Sequence, residues 1–186
     1  MEMPPFDQLT LRTPRLVLRP LAPLDAPVLL AIFSDPTVMR YWSTPPWTSI
    51  DTAHAVIAQD RSEMAEGAYI RLGIEETATS RLVGTCSLFN MMPICRRAEI
   101  GYALAAEAWG RGLMHEALRG LLGYAFATLD LNRIEADIDP RNQASAKTLE
   151  RLGFTREGYL RERWIVDGVI SDTALYGLLQ REWQEQ

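Results

Sequence analysis

A chain of 186 residues that is 47% hydrophobic suits one domain with a real core and excludes a disordered polymer. A formal net charge of −5 excludes the basic face that non-specific nucleic-acid binding needs, and no apolar run is long enough to cross a bilayer. The start, MEMPPFDQ, lacks the basic-then-apolar order of a signal peptide, and the only cysteines, Cys86 and Cys95, lie in one predicted hairpin, either as a disulfide or, as a reducing cytoplasm favours, as two free, mostly buried thiols.

In chain order, residues 1–10 read as a loose N-terminal tail, and residues 11–186 as a single domain. Arg15 to Leu21 alternates polar and apolar, the pattern of a first strand. Asp25 is placed to cap a helix that starts at Ala26-Pro27 and ends near Asp35-Pro36. The segment Val38 to Trp47 holds Tyr41, Trp42 and Trp47 beside a Pro-Pro pair; these aromatics either wall a pocket or cover the core under a loop. A second helix starts at Ser49 or Asp51 and stops before Gly67. Tyr69–Glu75 and Arg81–Phe89 read as strands around a polar turn, and Gly84 inside the second predicts a bulge or a close approach.

The richest stretch is Arg97 to Ala125, RAEIGYALAAEAWGRGLMHEALRGLLGYA. A buried strand leads through a loop to Gly110-Arg111-Gly112, and Met114, Leu118, Leu121 and Ala125 then recur at helical spacing. Glycines at a helix N-terminus let the backbone approach a bulky anion, and the unpaired first-turn N–H groups and the helix dipole favour negative charge there. The stretch predicts a phosphate or pyrophosphate cradle. Leu113-Met114 after the second glycine excludes a Walker loop, and His115 excludes a dinucleotide fingerprint.

Beyond this helix, Arg133–Asp139 alternates as a half-buried strand. Asn142 caps a helix over Gln143–Leu152, and Gly153 closes it. Strands at 155–166 and 169–179 meet at Asp167-Gly168, a hairpin signal. Seven strands and four helices in this order predict an α/β (α+β) fold, a mixed sheet with helices on both faces and one parallel pair across a right-handed crossover. His54 and His115 lie far apart, and no Cys/His/carboxylate spacing suggests a metal.

Trp109-Gly110-Arg111-Gly112-Leu113-Met114, after a strand carrying Glu99-Ile100-Gly101-Tyr102, resembles the acyl-CoA pyrophosphate loop of the GCN5-related N-acetyltransferases (GNAT). Asn142-x-x-Ser145-x-x-x-x-Glu150-x-x-Gly153-Phe154 resembles the other half of that family's signature. The opening Thr-Pro-Arg-Leu-x-Leu-Arg-Pro-Leu is similar to the ribosomal-protein N-terminal (alanine/serine) acetyltransferase branch. The resemblance implies a mostly antiparallel sheet of about seven strands with a splayed parallel pair, and acetyl-CoA as co-substrate with no metal. It implies that the pantetheine arm pairs with backbone groups of Tyr102, Ala103 and Leu104. The pyrophosphate would lie on Trp109, Gly110, Arg111, Gly112, Leu113, Met114, His115 and Glu116, with Asn142 and Ser145 as further contacts.

The implied chemistry is attack of a neutral amine on a thioester. Glu99 is the candidate base. Leu149 stands where many relatives carry a tyrosine acid, so the resemblance transfers that role to Ser145. Tyr41, Trp42 and Trp47 are the candidate acceptor wall. The acceptor is a protein N-terminal α-amine or a small amine such as an amino acid, polyamine or antibiotic; a non-catalytic acyl-CoA binder is the contrasting class. Relatives are often monomers or homodimers.

Overall fold

The computed structural model describes residues 3–183; Met1, Glu2 and residues 184–186 lie outside them. Strand β1 (Leu11–Arg12) turns back on β2 (Leu16–Pro20), and helices α1 (Ala26–Ser34), α2 (Pro36–Met39) and α3 (Ile50–Ala65) follow. Three antiparallel strands come next: β3 (Ile70–Glu76), β4 (Arg81–Met92) and β5 (Arg97–Leu104). Helix α4 (Leu113–Ala127), strand β6 (Arg133–Ile138), helix α5 (Gln143–Arg151) and the hairpin β7 (Thr155–Val166) and β8 (Val169–Leu179) complete the chain. The sheet has eight strands in the order β1-β2-β3-β4-β5-β6-β8-β7. The strand beyond the predicted seven is the two-residue β1, too short to show an alternation.

Among the described residues only β5 and β6 run parallel, and their register covers Arg97↔Arg133, Ala98↔Ile134 and Glu99↔Glu135 and then stops. Beyond it β5 runs on to Leu104 and β6 to Ile138, so the strands splay. Successive side chains of a strand point to opposite faces. On β5, Ala98, Ile100 and Leu104 pack into a core with Leu113, Leu118 and Leu122 of α4 and Leu149 of α5. Ala103 packs instead with Leu29 and Phe33 of α1 and Ile57 of α3.

Several local expectations need correcting. The N-terminal segment is not loose: Phe6 is fully buried, its N–H donates to Met64 O at 2.7 Å, and the backbone of Met3 and Pro4 lies against Gly67. Asp25 precedes α1 without capping it, because its carboxylate accepts from Ala22 N and from both terminal nitrogens of Arg19. Ser49, not Asp51, caps α3, accepting from Asp51 N at 3.1 Å. Of the two free cysteines, Cys86 is buried, which pushes its thiol up to about 12, but Cys95 is exposed in a single turn after β4.

Candidate active site

The splay opens a cleft of about 760 Å³ that runs from Tyr41, Trp42 and Glu99 on the α1–α3 side to Tyr102, Asn142 and Ser145 on the α4–α5 side. Antiparallel ladders alternate bonded and non-bonded pairs. Ala105 N–H donates to Val83 O, which marks one bonded pair. By that alternation Ala103, Gly101 and Glu99 turn their backbone groups to β4, while Tyr102 and Leu104 turn theirs toward the cleft. The expected backbone contact at Ala103 is thereby corrected: its polar groups belong to the ladder. Leu104 O accepts from the Trp109 indole N–H at 2.8 Å, which ties the glycine loop to the end of β5.

At that loop Gly110 and Gly112 have φ of +73° and +74°, the left-handed region that glycine adopts without strain. A side chain at Gly110 would meet nothing within 4 Å, so the surface over the loop is open. The N–H groups of Leu113, Met114 and His115 begin α4 without an intrahelical acceptor. Glu116 N–H is different. It donates to Gly112 O at 3.1 Å, and its carboxylate accepts from Thr13 Oγ1 at 2.6 Å, from Arg15 N at 2.8 Å and from Arg15 Nε at 2.6 Å. Burial pushes the Glu116 carboxyl up, but those hydrogen bonds outweigh it and hold it below the usual range. Glu116 therefore anchors the cradle and does not line it. Arg111 is ion-paired with Glu76, and its carbonyl accepts from Arg15 Nη1 at 3.0 Å. Burial and the nearby cations Arg119 and Arg151 hold His115 below the usual histidine range. The open glycine surface and the unpaired first-turn N–H groups fit a pyrophosphate, and the cleft-facing backbone of Tyr102 fits an amide-bearing arm.

On the other side of the sheet, Glu99 Oε1 accepts from Asn90 Nδ2 at 3.2 Å. Asn90 reaches it because the β4–β5 register shifts between Phe89 and Met92 and Asn90 takes φ +47°. Bulges re-aim side chains in this way. Glu135, the lateral neighbour of Glu99, is held by Arg97 and Arg133. Glu99 is thus a half-buried carboxylate whose partner is a neutral amide, as is Glu63, which accepts from Gln59 Nε2 at 2.7 Å farther along the cleft.

Asn142 Oδ1 accepts from Ser145 N at 3.1 Å, a helix cap that leaves the amide NH₂ end at the cleft. Ser145 is buried, and its hydroxyl lies 2.7 Å from the Tyr102 hydroxyl. Leu149 is fully buried in the core, so no hydroxyl is available there. Tyr41 lines the cleft between the guanidinium groups of Arg40 and Arg141, 5.3 and 5.8 Å from its ring centre. Trp42 lines it too, edge-on to Phe33. Trp47 does not: it stacks on Phe33 at 4.6 Å and covers the core under the loop. Sequence reasoning missed Asn90, Arg15 and the Tyr102 side chain. Asn90 and Tyr102 depend on strand register and Arg15 on a contact with residues about 100 positions away, neither of which leaves a local signal.

The sequence profile of the acetyltransferase (GNAT) domain matches residues 15–155. An uncharacterized N-acetyltransferase, p20, of Bacillus licheniformis is 40% identical over 175 residues, 94% of this chain and 98% of that protein. The [ribosomal protein uS5]-alanine N-acetyltransferase of Escherichia coli is 30% identical over 119 residues, 63% of this chain and 61% of that one. The crystal structure of a spermidine N-acetyltransferase from Vibrio cholerae in complex with CoA and spermine superposes with a TM-score of 0.81 at 25% identity, covering 91% of this chain and 98% of that one. Together with the splayed strand pair and the glycine cradle, these matches show that the chain belongs to the GNAT family and is an N-acetyltransferase that uses acetyl-CoA.

Proposed function

We propose that the acceptor is a single primary amine on an otherwise neutral or anionic molecule, best met by the α-amine of a protein N-terminus. The observation that carries this is how the carboxylates along the cleft are already engaged. Asp139 is ion-paired with Arg141, Asp137 accepts from Thr173, and Asp172 is bonded to Tyr159 and the Glu162 N–H. Arg71 and Arg163 also line the cleft, ion-paired with Asp60 and Asp137. A polyamine would need several uncommitted carboxylates along its length; among the described cleft residues Glu99 and Glu63, each bonded to a neutral amide, are the two with neither a cation nor a hydroxyl on them. The ribosomal-protein relative supports this reading. A small-molecule amine is the second reading, favoured by the structural likeness to the spermidine enzyme.

In the proposed mechanism Glu99 removes a proton from the ammonium, directly or through water, because only the neutral amine can attack. A cleft-facing backbone N–H near Leu104 stabilises the developing oxyanion. Ser145 serves the departing sulfur, and the cradle of Gly110 to His115 holds the pyrophosphate. The enzyme acts in the cytoplasm, where both thiols stay reduced.

The experiment is thiol release from acetyl-CoA with a panel of alanine- and serine-starting peptides, free amino acids and spermidine, with the products weighed by mass spectrometry. Peptides are expected to be acetylated at the α-nitrogen with the highest kcat/KM; preference for spermidine would overturn the proposal. Ser145→Ala is expected to lower turnover more than it raises the KM for acetyl-CoA, and an unchanged turnover number would remove Ser145 from the mechanism.

A further inference from the structure

Helix hydroxyls usually turn back on their own helix. Thr148 does so, donating to Ala144 O at 2.9 Å. Ser145, one turn earlier on α5, does not: its hydroxyl crosses to β5 and meets the Tyr102 hydroxyl at 2.7 Å. The two residues are 43 apart in the chain, and they meet at the cleft. Either oxygen can donate in such a pair. A phenol is far more acidic than an aliphatic alcohol, so the stronger hydrogen bond has the phenol donating and the serine oxygen accepting. That choice leaves the serine proton free to point elsewhere, and among the described residues nothing else accepts from it.

We propose that Tyr102 is a positioning residue: its hydroxyl donates to Ser145 Oγ and thereby turns the serine O–H into the cleft, toward the sulfur of the bound coenzyme. The proposal rests on the reading of Ser145 given above and adds the group that sets its direction. Burial pushes the Tyr102 phenol up to about 12, against a smaller opposite effect of the bond to Ser145, so the phenol keeps its proton at any working pH. It therefore acts as a fixed donor and not as a proton source. In the reaction Ser145 supplies the hydrogen bond that the sulfur accepts as it takes the electron pair of the breaking C–S bond. The proton lost by the amine goes to Glu99, and the thiolate is protonated from water on release. A hydroxyl chain of this kind is pre-aimed and needs no reorganisation when charge develops.

The test uses binding as well as turnover. Calorimetry compares CoA with desulfo-CoA, which lacks the sulfur. The wild-type chain is expected to prefer CoA by about five-fold, the worth of one modest hydrogen bond. Tyr102→Phe is expected to bring that preference close to unity without weakening desulfo-CoA, as is Ser145→Ala, and the double variant is expected to show no further loss. Turnover of Tyr102→Phe should fall by about five- to twenty-fold with the KM for acetyl-CoA within about two-fold.

A preference that survives in Tyr102→Phe overturns the proposal. So do equal losses for both ligands, which mark a purely structural tyrosine, and so does a wild-type chain that binds the two alike. Because the binding comparison needs no acceptor, it judges the hydroxyl pair even if every amine in the panel fails, and that failure would count against the proposed acceptor alone.

Discussion

Replacing Gly84 by alanine tests the packing that shapes the cofactor wall. A methyl group at Gly84 would lie 2.3 Å from Ala103 O, 3.0 Å from Leu104 Cδ1 and 3.1 Å from Leu104 Cα. Ordinary contact begins near 3.4 Å, so β4 and β5 must part by about 1 Å, a fifth of the usual strand spacing of about 4.8 Å. The obstacle is backbone, which cannot rotate aside as a side chain can. Overpacking of this kind costs about 1–3 kcal/mol, against a gain of about 0.4–1 kcal/mol from the stiffer unfolded chain. A net loss of about 1.3 kcal/mol lowers Tm by about 3–5 °C in a chain of this size. The displaced segment carries the Leu104 carbonyl that holds Trp109, so the KM for acetyl-CoA should rise as well. Urea and thermal unfolding measure the first effect, and initial rates at varied acetyl-CoA the second. Gly123→Ala in α4 is the control: nothing lies within 4 Å of its added methyl group, and it should gain up to about 1 kcal/mol from helix propensity. If Gly84→Ala melts within 1 °C of the wild type while the control behaves, the close approach is not what sets the β4–β5 geometry.

Two further predictions concern the rest of the chain. Phe6→Ala should destabilise by about 3–5 kcal/mol, because the ring is fully buried; a urea midpoint shift worth less than about 1 kcal/mol would show that the N-terminal segment is dispensable. Burial pushes Asp60 up to about 6, with Arg71 pulling the other way and Glu63 adding to the rise. The folded state therefore holds this proton more tightly than the unfolded chain, and the Asp60 contribution becomes more favourable as pH falls through 6 toward 3.8. Asp60→Asn removes that dependence. The stability difference should move in favour of the wild type by about 1–3 kcal/mol between pH 7 and pH 4.5, and parallel pH profiles would refute it.

Elements governed by neighbours in the chain were legible. The β7–β8 hairpin has the bounds its turn dipeptide predicts, with Asp167 and Gly168 at φ +47° and +78°. Gly153 closes α5 at φ +93°, and Asn142 caps it. The glycine loop followed from its motif and the parallel pair from the element order, while its splay was implied by the family resemblance. What could not be read depends on which residues lie side by side across strands. Phe6 stands between a Pro-Pro pair and Asp7-Gln8, a stretch with neither helical nor strand periodicity. Trp47 and Trp42 share one aromatic loop, and only the stack on Phe33 assigns Trp47 to the core. Asp25 has the composition of a cap, yet a guanidinium on β2 takes its carboxylate. The Tyr102–Ser145 and Glu99–Asn90 pairs are set by register and by a bulge, and neither has a sequence pattern of its own.

The grip on the glycine loop also has a direction in time. Thr13 and Arg15 hold Glu116 from 103 and 101 residues upstream, and Glu76 holds Arg111 from 35 upstream. Every clamp residue is therefore synthesised before the loop it holds, and a chain that folds from its N-terminus meets the loop with the clamp already built. The sequence separation that hides these contacts from inspection runs entirely toward the N-terminus. Loss of the first fifteen residues would thus unfasten an anion site to which they contribute no glycine and no helix turn.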